Sequence, residues 1–386
     1  MKGYLTAKQA SQKLGVSLST LYAYVSRGLI RSEPDTVKRR RRYRAEDIDA
    51  LLAKKSDKVH SEGRLAEALS WGEPVCDSHL TLIDDGEVYY RGRPVSKLAQ
   101  TCRFEDVVEL LWEGYAPADP AELPPALMAT LQQLEPINRF GLLLPWCAQK
   151  DPRAFDLRPE AVRSAGSRIL RALFDSLSPE RGQESLAATL AEGWCPGKTH
   201  LLDTALILCA DHELNVSAFT ARCAASAGAS PYAVVQAGIA ALSGFRHGAY
   251  TYRVEALVRE AEALGAEKAV CSYLRRGLEV PGFGHKLYPE GDPRGRDLLA
   301  ALTPVPEVVA QLIEAADDLL DARPNVDFAL VALAHSLALP PGASLALFAL
   351  GRCAGWIAHA LEQYGTGKLI RPRARYIGKL PVSQLE

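Results

Sequence analysis

The sequence reads ADHELN at residues 210–215, PGFGH at 281–285 running on to DPR at 292–294, and PNVD at 324–327. Each segment sets a histidine or an aspartate beside turn-forming residues, inside otherwise apolar sequence with helical spacing. A fourth segment, SGFRHG at 243–248, adds another histidine and an arginine. Histidine, aspartate and arginine side chains gathered in one place can transfer protons next to a bound carboxylate.

The net charge of the 386-residue chain is −1, but the charge is unevenly distributed. Residues 1–60 contain 14 Lys and Arg against 6 Asp and Glu, which gives +8, whereas the rest of the chain carries −9. A basic N-terminal segment suits a polyanionic partner, and the acidic remainder suits an enzyme. The length allows two or three domains, and 48% apolar with 24% charged residues is ordinary for a globular protein.

The eight cysteines are scattered along the chain, and no pair shows Cys-x-x-Cys spacing, so we expect no metal site. Several, such as Cys223 and Cys353, lie in apolar helical sequence, where a buried free thiol is the simplest interpretation. The chain begins with no charged-then-apolar leader, and we expect no apolar run long enough to span a membrane. A cytoplasmic protein in a reducing compartment, without a membrane partner, is therefore expected.

Residues 1–58 are predicted to form a helix-turn-helix domain. TAKQ at 6–9 is a capping box that begins a short helix, and a second helix follows over 18–27. A polar stretch then leads into RRRRYR at 39–44 and a third helical segment over 45–55. This order of elements resembles the winged helix-turn-helix of excisionase and MerR-like proteins.

The resemblance places polar side chains of the second helix against or beside DNA, and the arginines of the wing on phosphates. Arginine neutralises the DNA backbone, while Ser, Thr and Tyr position the helix. The candidate residues are Ser17, Ser19, Thr20, Tyr22, Tyr24, Arg39, Arg40, Arg41 and Arg42. Double-stranded DNA is thus the expected partner of this domain, and a basic hairpin used for protein contacts is the alternative.

After a polar, charged linker at 59–74, the sequence predicts one hairpin and then mostly helices. The segment 81–92, with Asp85-Gly86 at its centre, is typical of two short strands joined by a tight turn. Apolar residues then recur every three or four positions in the predicted helices 104–112, 123–134, 159–176, 186–192 and 201–209. The expected fold class is mainly α.

Three histidines and one aspartate are the candidates for chemistry, and each has a structural alternative. His212 lies between two acids, where a structural histidine is equally reasonable. His247 and His285 lie next to glycines that the backbone could need for a turn alone. Asp327 precedes an apolar run, where it is either an N-cap or a carboxylate whose basicity is raised by apolar surroundings.

Three arginines complete the set: Arg294, Arg352 and Arg371. Arg352 lies in a predicted helix of small residues, and a buried arginine is rare without an anionic partner. A guanidinium binds a carboxylate through two parallel hydrogen bonds. Three such groups therefore indicate a substrate with two or more carboxylates.

In their order along the chain, these segments resemble citrate synthase over about residues 75–386. The landmarks are YRG at 90–92, ADHE at 210–213 with Asn215 and Ser217, GxxHG at 244–248, PGxGH at 281–285, DPR at 292–294, PNVD at 324–327, GR at 351–352, GWIAH at 355–359 and RPR at 371–373. The resemblance implies a homodimer of mainly helical subunits. It also implies a large domain at 75–247 and 346–386, and a small domain at 248–345 that closes over the substrates.

The same resemblance implies the transferase reaction that condenses acetyl-CoA with oxaloacetate to citrate and CoA in the tricarboxylic acid cycle, with no cofactor and no metal. Asp327 would remove a methyl proton, His247 would stabilise the enol, and His285 would polarise the ketone of oxaloacetate. The oxaloacetate carboxylates and the pocket around them would be held by His212, Arg294, Arg352, Asn215, Ser217 and, from the neighbouring subunit, Arg371.

Three positions depart from the family pattern. Tyr250 and Thr251 stand where a small residue and Asn are usual, and Cys209 stands where His is frequent. A phenol at 250 could crowd the acyl pocket or change the preferred acyl donor or keto acid, and a 2-methylcitrate synthase using propionyl-CoA is one alternative. Another is a metabolite-sensing transcriptional regulator with a synthase-like ligand sensor, whose twofold dimer would pair with a palindromic DNA site. A third keeps the enzyme and uses residues 1–60 for dimerisation or partner binding.

Overall fold

The structure, a computed structural model, describes residues 3–14, 16, 18–26, 29–34, 41–51, 76–178 and 185–378. The contacts divide the chain into two compact units, Met1–Asp77 and Ser78–Glu386. The predicted linker at 59–74 lies outside the described residues.

The N-terminal unit is a small three-stranded sheet with helices. Its elements are β1 (Tyr4–Thr6), α1 (Ala7–Leu14), α2 (Leu18–Ser26), β2 (Ser32–Pro34), β3 (Arg41–Arg44) and a helix α3 described over residues 45–51. The sheet has the order β1-β3-β2, with antiparallel pairs. The capping box is present, since the Gln9 amide donates to the Thr6 hydroxyl and the Thr6 amide donates to Gln9 Oε1. The buried hydrophobic core of this unit consists of six side chains: Ala10, Leu14, Leu21, Ile30, Tyr43 and Ile48.

The second unit opens with the predicted hairpin, formed by β4 (Thr81–Asp84) and β5 (Glu87–Tyr90), with a short β6 (Arg93–Pro94) beside β5. Asp85 and Gly86 both have positive φ values, 47° and 75°. This is the backbone that a two-residue turn between twisted strands requires, which explains the Asp-Gly pair.

Helices make up most of the second unit and confirm the mainly α fold class. Phe104–Trp112 has the predicted bounds, and the other four predicted helices are found with ends shifted by a few residues. The described helices are α4 (Val95–Thr101), α5 (Phe104–Trp112), α6 (Pro125–Gln132), α7 (Pro136–Lys150), α8 (Pro159–Asp175), α9 (Leu186–Trp194), α10 (Thr199–Cys209), α11 (Val216–Ser226), α12 (Pro231–Leu242), α13 (Thr251–Leu264), α14 (Ala266–Arg275), α15 (Pro293–Leu302), α16 (Glu307–Leu320), α17 (Val326–Ser336) and α18 (Ala343–Thr366).

Helix α18 runs through the centre of this unit and contacts α8, α10, α11 and α12. It also corrects one expectation, because by length and composition it is apolar enough to cross a membrane. However, 94% of its most apolar window is buried inside the folded chain, which explains the apolar composition as that of a core helix. Small residues let neighbouring backbones approach it: a Cβ at Gly351 would lie 2.5 Å from the Leu206 carbonyl oxygen.

Candidate active site and helix-turn-helix surface

The three candidate histidines come from three loops at helix ends. His212 follows α10, His247 lies between α12 and the 3₁₀ turn Gly248–Tyr250, and His285 precedes α15. The ring centroids of His212 and His285 are 5.7 Å apart, at 84° to each other. The structure therefore brings together residues that are 73 positions apart in the sequence.

Tyr288 joins these two histidines. Its hydroxyl lies 2.7 Å from His212 Nε2, and its ring centroid lies 4.9 Å from that of His285. Sequence reasoning gave this tyrosine no role. A signal was present, because Tyr288 is an aromatic residue inside the turn-rich segment that follows His285.

The tautomer of His285 follows from its local contacts. The backbone amide of Leu287 donates to His285 Nδ1 at 3.2 Å, so Nδ1 carries no proton in the neutral ring. Nε2 then carries the proton and can donate a hydrogen bond. Burial lowers the pKa of His285 to about 4, with Arg294 acting in the same direction, so the ring is neutral at physiological pH.

His247 is oriented by the beginning of helix α11. Its Nε2 lies 2.8 Å from the Ser217 hydroxyl, which lies 2.8 Å from Asn215 Oδ1. Asn215 is also the N-cap of α11 and accepts from the Ser217 and Ala218 amides. Burial lowers the pKa of His247 to about 3, assisted by Arg352 and Arg294, so this ring is neutral as well.

Asp327 is not the N-cap of α17. That position belongs to Asn325, whose side chain accepts from the Phe328 amide at 3.2 Å. Asp327 lies in the first turn, and its Oδ1 is buried without a hydrogen-bond partner among the described residues. Burial raises its pKa to about 7, while Arg294 and Arg352 act in the opposite direction. Of the two alternatives for this residue, the geometry favours the carboxylate with raised basicity.

Two of the three predicted arginines are buried near these groups. Arg352 donates from Nε to the Cys209 carbonyl at 2.7 Å, and its Nη2 is buried without a hydrogen-bond partner among the described residues. Arg294 is held by Asp292 through two hydrogen bonds of 2.9 and 2.8 Å. Asp292 also accepts from the Val326 amide, so it links the beginnings of α15 and α17. A substrate carboxylate would therefore approach the Nη1 side of the Arg294 guanidinium, because Asp292 accepts from Nε and Nη2.

The third arginine, Arg371, is exposed in the non-helical segment after α18, and no described contact brings it to the histidines. A role for Arg371 from a neighbouring subunit stays a prediction. Within the described ranges, no group of three or more His, Cys, Asp or Glu side chains is placed to hold a metal ion.

The two unusual residues after His247 contribute to the turn. Thr251 is fully buried, and its hydroxyl donates to the Gly248 carbonyl at 2.9 Å. Tyr250 is half-buried, and its hydroxyl donates to Glu279 at 3.2 Å, just before the loop that carries His285. The phenol thus connects the His247 turn to that loop.

The predicted DNA-contacting residues are only partly described. Ser17, Arg39 and Arg40 lie outside the described residues, while Ser19 and Thr20 lie in α2. Tyr22 is 52% exposed on that helix. Tyr24 instead packs against the small core, so it serves the fold of the unit.

The two described wing arginines lie on β3. Arg41 is exposed and donates to the Ser32 carbonyl, whereas the Arg42 guanidinium lies 4.5 Å from the centre of the Tyr4 ring. Other basic side chains of the unit pair internally, as Arg31 does with Asp47 at 2.7 Å. Among the described residues of this unit, part of the basic charge is therefore paired within the unit and not available to an external polyanion.

Comparisons with known proteins agree with both parts of the chain. Residues 68–138 and 156–373 match the family model "Citrate synthase, C-terminal domain", and residues 4–56 match "Helix-turn-helix domain". Citrate synthase 2 of Bacillus subtilis is 30% identical over 346 residues, covering 78% of this chain and 93% of the relative. 2-Methylcitrate synthase 2 of Corynebacterium glutamicum is 28% identical over 343 residues, covering 75% and 88%.

Solved structures show the same fold. The crystal structure of citrate synthase from Thermotoga maritima matches with a TM-score of 0.65 and 26% identity, covering 81% of this chain and 95% of that one. A citrate synthase from Thermoplasma acidophilum, at 22% identity and a TM-score of 0.66, supports the fold alone. The helical unit predicted from the sequence is confirmed by the family model and the solved structure. The predicted N-terminal helix-turn-helix domain is confirmed by its own family model.

Proposed function

This chain belongs to the citrate synthase family of condensing acyltransferases, and we propose that it joins acetyl-CoA to oxaloacetate, giving citrate and CoA. The observation that carries the proposal is that two buried side chains of opposite charge each have an atom, Asp327 Oδ1 and Arg352 Nη2, without a hydrogen-bond partner among the described residues. Buried polar atoms are nearly always paired in proteins, so a ligand that pairs with these two atoms would satisfy them. A carbon acid would meet Asp327, and a carboxylate would meet Arg352.

The reaction begins with proton removal. Asp327 takes a proton from the methyl group of acetyl-CoA, and the electron pair moves to the thioester oxygen to give an enolate, which takes on enol character as its oxygen shares the proton of the His247 hydrogen bond. A base whose pKa is raised to about 7 holds a proton far better than an ordinary aspartate, which lowers the cost of this step. The same burial excludes water from the developing carbanion.

His247 stabilises the enol only if it donates a hydrogen bond from Nδ1, which requires Nε2 to accept from Ser217. The Ser217 hydroxyl has one proton, which it can give either to Asn215 or to His247. Asn215 Oδ1 already accepts two amide protons at the cap of α11. The proton can therefore turn toward His247 without leaving the cap unsatisfied, and this arrangement prepares the donor that the enol needs.

The new carbon–carbon bond forms when the enol carbon attacks the ketone carbon of oxaloacetate. His285, protonated on Nε2, donates to the ketone oxygen and gives its proton to the alkoxide as the bond forms. Arg294, Arg352 and His212 would hold the oxaloacetate carboxylates, with Asn215 and Ser217 supporting the pocket and Arg371 contributed by the neighbouring subunit of a homodimer. Water then cleaves the thioester of citryl-CoA, which releases citrate and CoA.

The test is CoA release from acetyl-CoA, followed with a thiol-reactive dye in the presence and absence of oxaloacetate. Release that depends on oxaloacetate is expected from the full-length protein and is expected to be lost in Asp327→Asn. Propionyl-CoA in the same assay tests the alternative that the protein is a 2-methylcitrate synthase. The similarity to 2-methylcitrate synthase 2 of Corynebacterium glutamicum supports making this comparison. Absence of release with both thioesters, from protein that binds oxaloacetate, would contradict the proposal and favour a ligand sensor.

A second function is proposed for the N-terminal unit, which would bind double-stranded DNA in the cytoplasm. It is supported by the match of residues 4–56 to a helix-turn-helix domain and by the net charge of +8 over residues 1–60. Binding that weakens steeply with salt and prefers certain sequences is expected in a gel-shift assay with genomic fragments. An equal, low affinity for all fragments, together with loss of the dimer on deletion of residues 1–60, would instead favour a dimerisation module.

A further inference from the structure

We propose that His359 is a positioning residue of the condensing site: acting through Asp211, it fixes the loop that presents His212 to the substrate. The inference rests on the proposed function, because it takes His212 to bind oxaloacetate. His359 is fully buried in α18, with no exposed surface, so it acts through its neighbour and not on the substrate.

One face of α18 contacts three successive residues, the last residue of α10 and the first two of the loop that follows it. Positions i, i+3 and i+7 of a helix share a face, and here they are Arg352, Gly355 and His359. The three contacts are Arg352 Nε to the Cys209 carbonyl at 2.7 Å, the Gly355 amide to the Ala210 carbonyl at 3.0 Å, and His359 Nε2 to Asp211 Oδ1 at 3.2 Å. His212 is the next residue, so its backbone is placed by this stripe of α18.

The hydrogen bond between His359 and Asp211 has a defined direction. His359 Nδ1 lies 3.3 Å from Arg222 Nη1, and a guanidinium has donors only, so Nδ1 accepts and Nε2 carries the proton. Arg222 is itself held by Glu362 at 2.8 Å and by Gln363 at 3.1 Å. His359 therefore donates to the Asp211 carboxylate from a ring whose tautomer is set by the buried Arg222 guanidinium, which Glu362 and Gln363 hold in place.

The loop needs this support because of its own backbone. Glu213, directly after His212, has a φ of 55°, in the left-handed region that residues other than glycine seldom adopt. Asp211 is also held from the other side, where the Thr81 hydroxyl donates to its Oδ2 at 2.5 Å. Tyr90 completes the frame, since its hydroxyl contacts both the amide and the carbonyl of Asp211. Loss of one donor to the carboxylate would let the loop relax and move His212.

The first test compares His359→Asn with His359→Gln in the full-length protein. Asn keeps an acceptor for Arg222 but has no donor at the Nε2 position, whereas the longer Gln places an amide donor toward Asp211. We expect the KM for oxaloacetate to rise on the order of tenfold in His359→Asn and clearly less in His359→Gln, with the KM for acetyl-CoA unchanged. A packing role alone would change both variants alike, in thermal stability and not in the KM for one substrate.

The second test avoids a change in the buried core. Thr81→Val keeps the shape and the strand preference of residue 81 but removes the other donor to Asp211. The matched control is Thr189→Val, at a buried threonine of α9 whose hydroxyl donates to the carbonyl of the N-cap Ser185 and has no other hydrogen-bond partner among the described residues. We expect calorimetry to show that Thr81→Val binds oxaloacetate several-fold more weakly than wild type. The affinity of the control variant for oxaloacetate is expected to be unchanged.

The outcomes separate this inference from the proposed function. Wild-type protein that binds oxaloacetate while Thr81→Val and His359→Asn bind it equally well would overturn the role of His359 and leave the proposed function intact. Wild-type protein that binds no oxaloacetate would overturn both. A selective loss of oxaloacetate affinity, restored by His359→Gln, is the result that the structure leads us to expect.

Discussion

Replacing Asp327 by Asn is expected to abolish turnover and, at the same time, to stabilise the folded protein at neutral and alkaline pH. Burial raises the pKa of this carboxyl from the ordinary 3.8 to about 7. The folded state therefore binds a proton that the unfolded state has lost, over the range between these two values. Stability contributed by the group is greatest at low pH and falls as the pH rises through that window.

The size of the effect follows from the same shift. Each pKa unit corresponds to about 1.4 kcal/mol, so the ionised carboxyl destabilises the folded state by roughly 4 kcal/mol at pH 8. At pH 5 the penalty is only about 2 kcal/mol, because the folded group is still protonated there. Asn resembles the neutral acid and does not titrate. Asp327→Asn is therefore expected to be more stable than wild type by roughly 4 kcal/mol at pH 8 and by about 2 kcal/mol at pH 5.

The measurement is urea unfolding of wild type and Asp327→Asn at pH 5 and pH 8. The control is Asp318→Asn, which makes the same substitution at an exposed aspartate on α16. The linkage argument fails if Asp327→Asn is no more stable than wild type at pH 8, or if its gain is the same at both pH values. Such a result would mean that the carboxyl is not held in a desolvated site.

Three further predictions concern activity. The kcat/KM for condensation is expected to fall about tenfold per pH unit below about pH 7, because Asp327 gains a proton there. The histidines are expected to cause no inflection above pH 5. A decrease that begins only near pH 4 would show that Asp327 is an ordinary carboxylate. Ser217→Ala is expected to lower kcat by about 10-fold to 100-fold, because His247 loses the partner that orients its donor, while Ser217→Thr keeps a hydroxyl and most of the rate; equal rates in the two variants would count against the tautomer argument. Tyr250→Ala is expected to raise the ratio of propionyl-CoA to acetyl-CoA turnover by several-fold. Tyr250→Phe is the control, because it keeps the ring. An unchanged ratio in Tyr250→Ala would mean that the phenol does not line the acyl pocket.

Local features of both units could be predicted from the sequence, because they depend on neighbouring residues. The capping box at Thr6, the Asp85-Gly86 turn and the helix Phe104–Trp112 each follow from side chains within a few positions of one another. The resemblance of the ordered motifs also identified the family correctly. These signals are local or lie in sequence order, so no knowledge of the packing was needed.

The site itself required the tertiary structure, because its energetics depend on residues far apart in the chain. Only packing shows that Asn325 caps α17 and leaves Asp327 as a buried carboxyl, or that Asp292 holds one edge of the Arg294 guanidinium. The pairing of His359 with Asp211 spans 148 positions and has no counterpart in any local pattern.

The sequence by itself determined which groups are present, in what order, and on which kinds of element they lie. The tertiary structure decided which of them meet and how far each is removed from water. Burial is a property of the whole fold, and it raises the pKa of Asp327 while lowering those of His247 and His285. The protonation states that the chemistry needs are therefore set by the packed helices and not by the motifs that carry the residues.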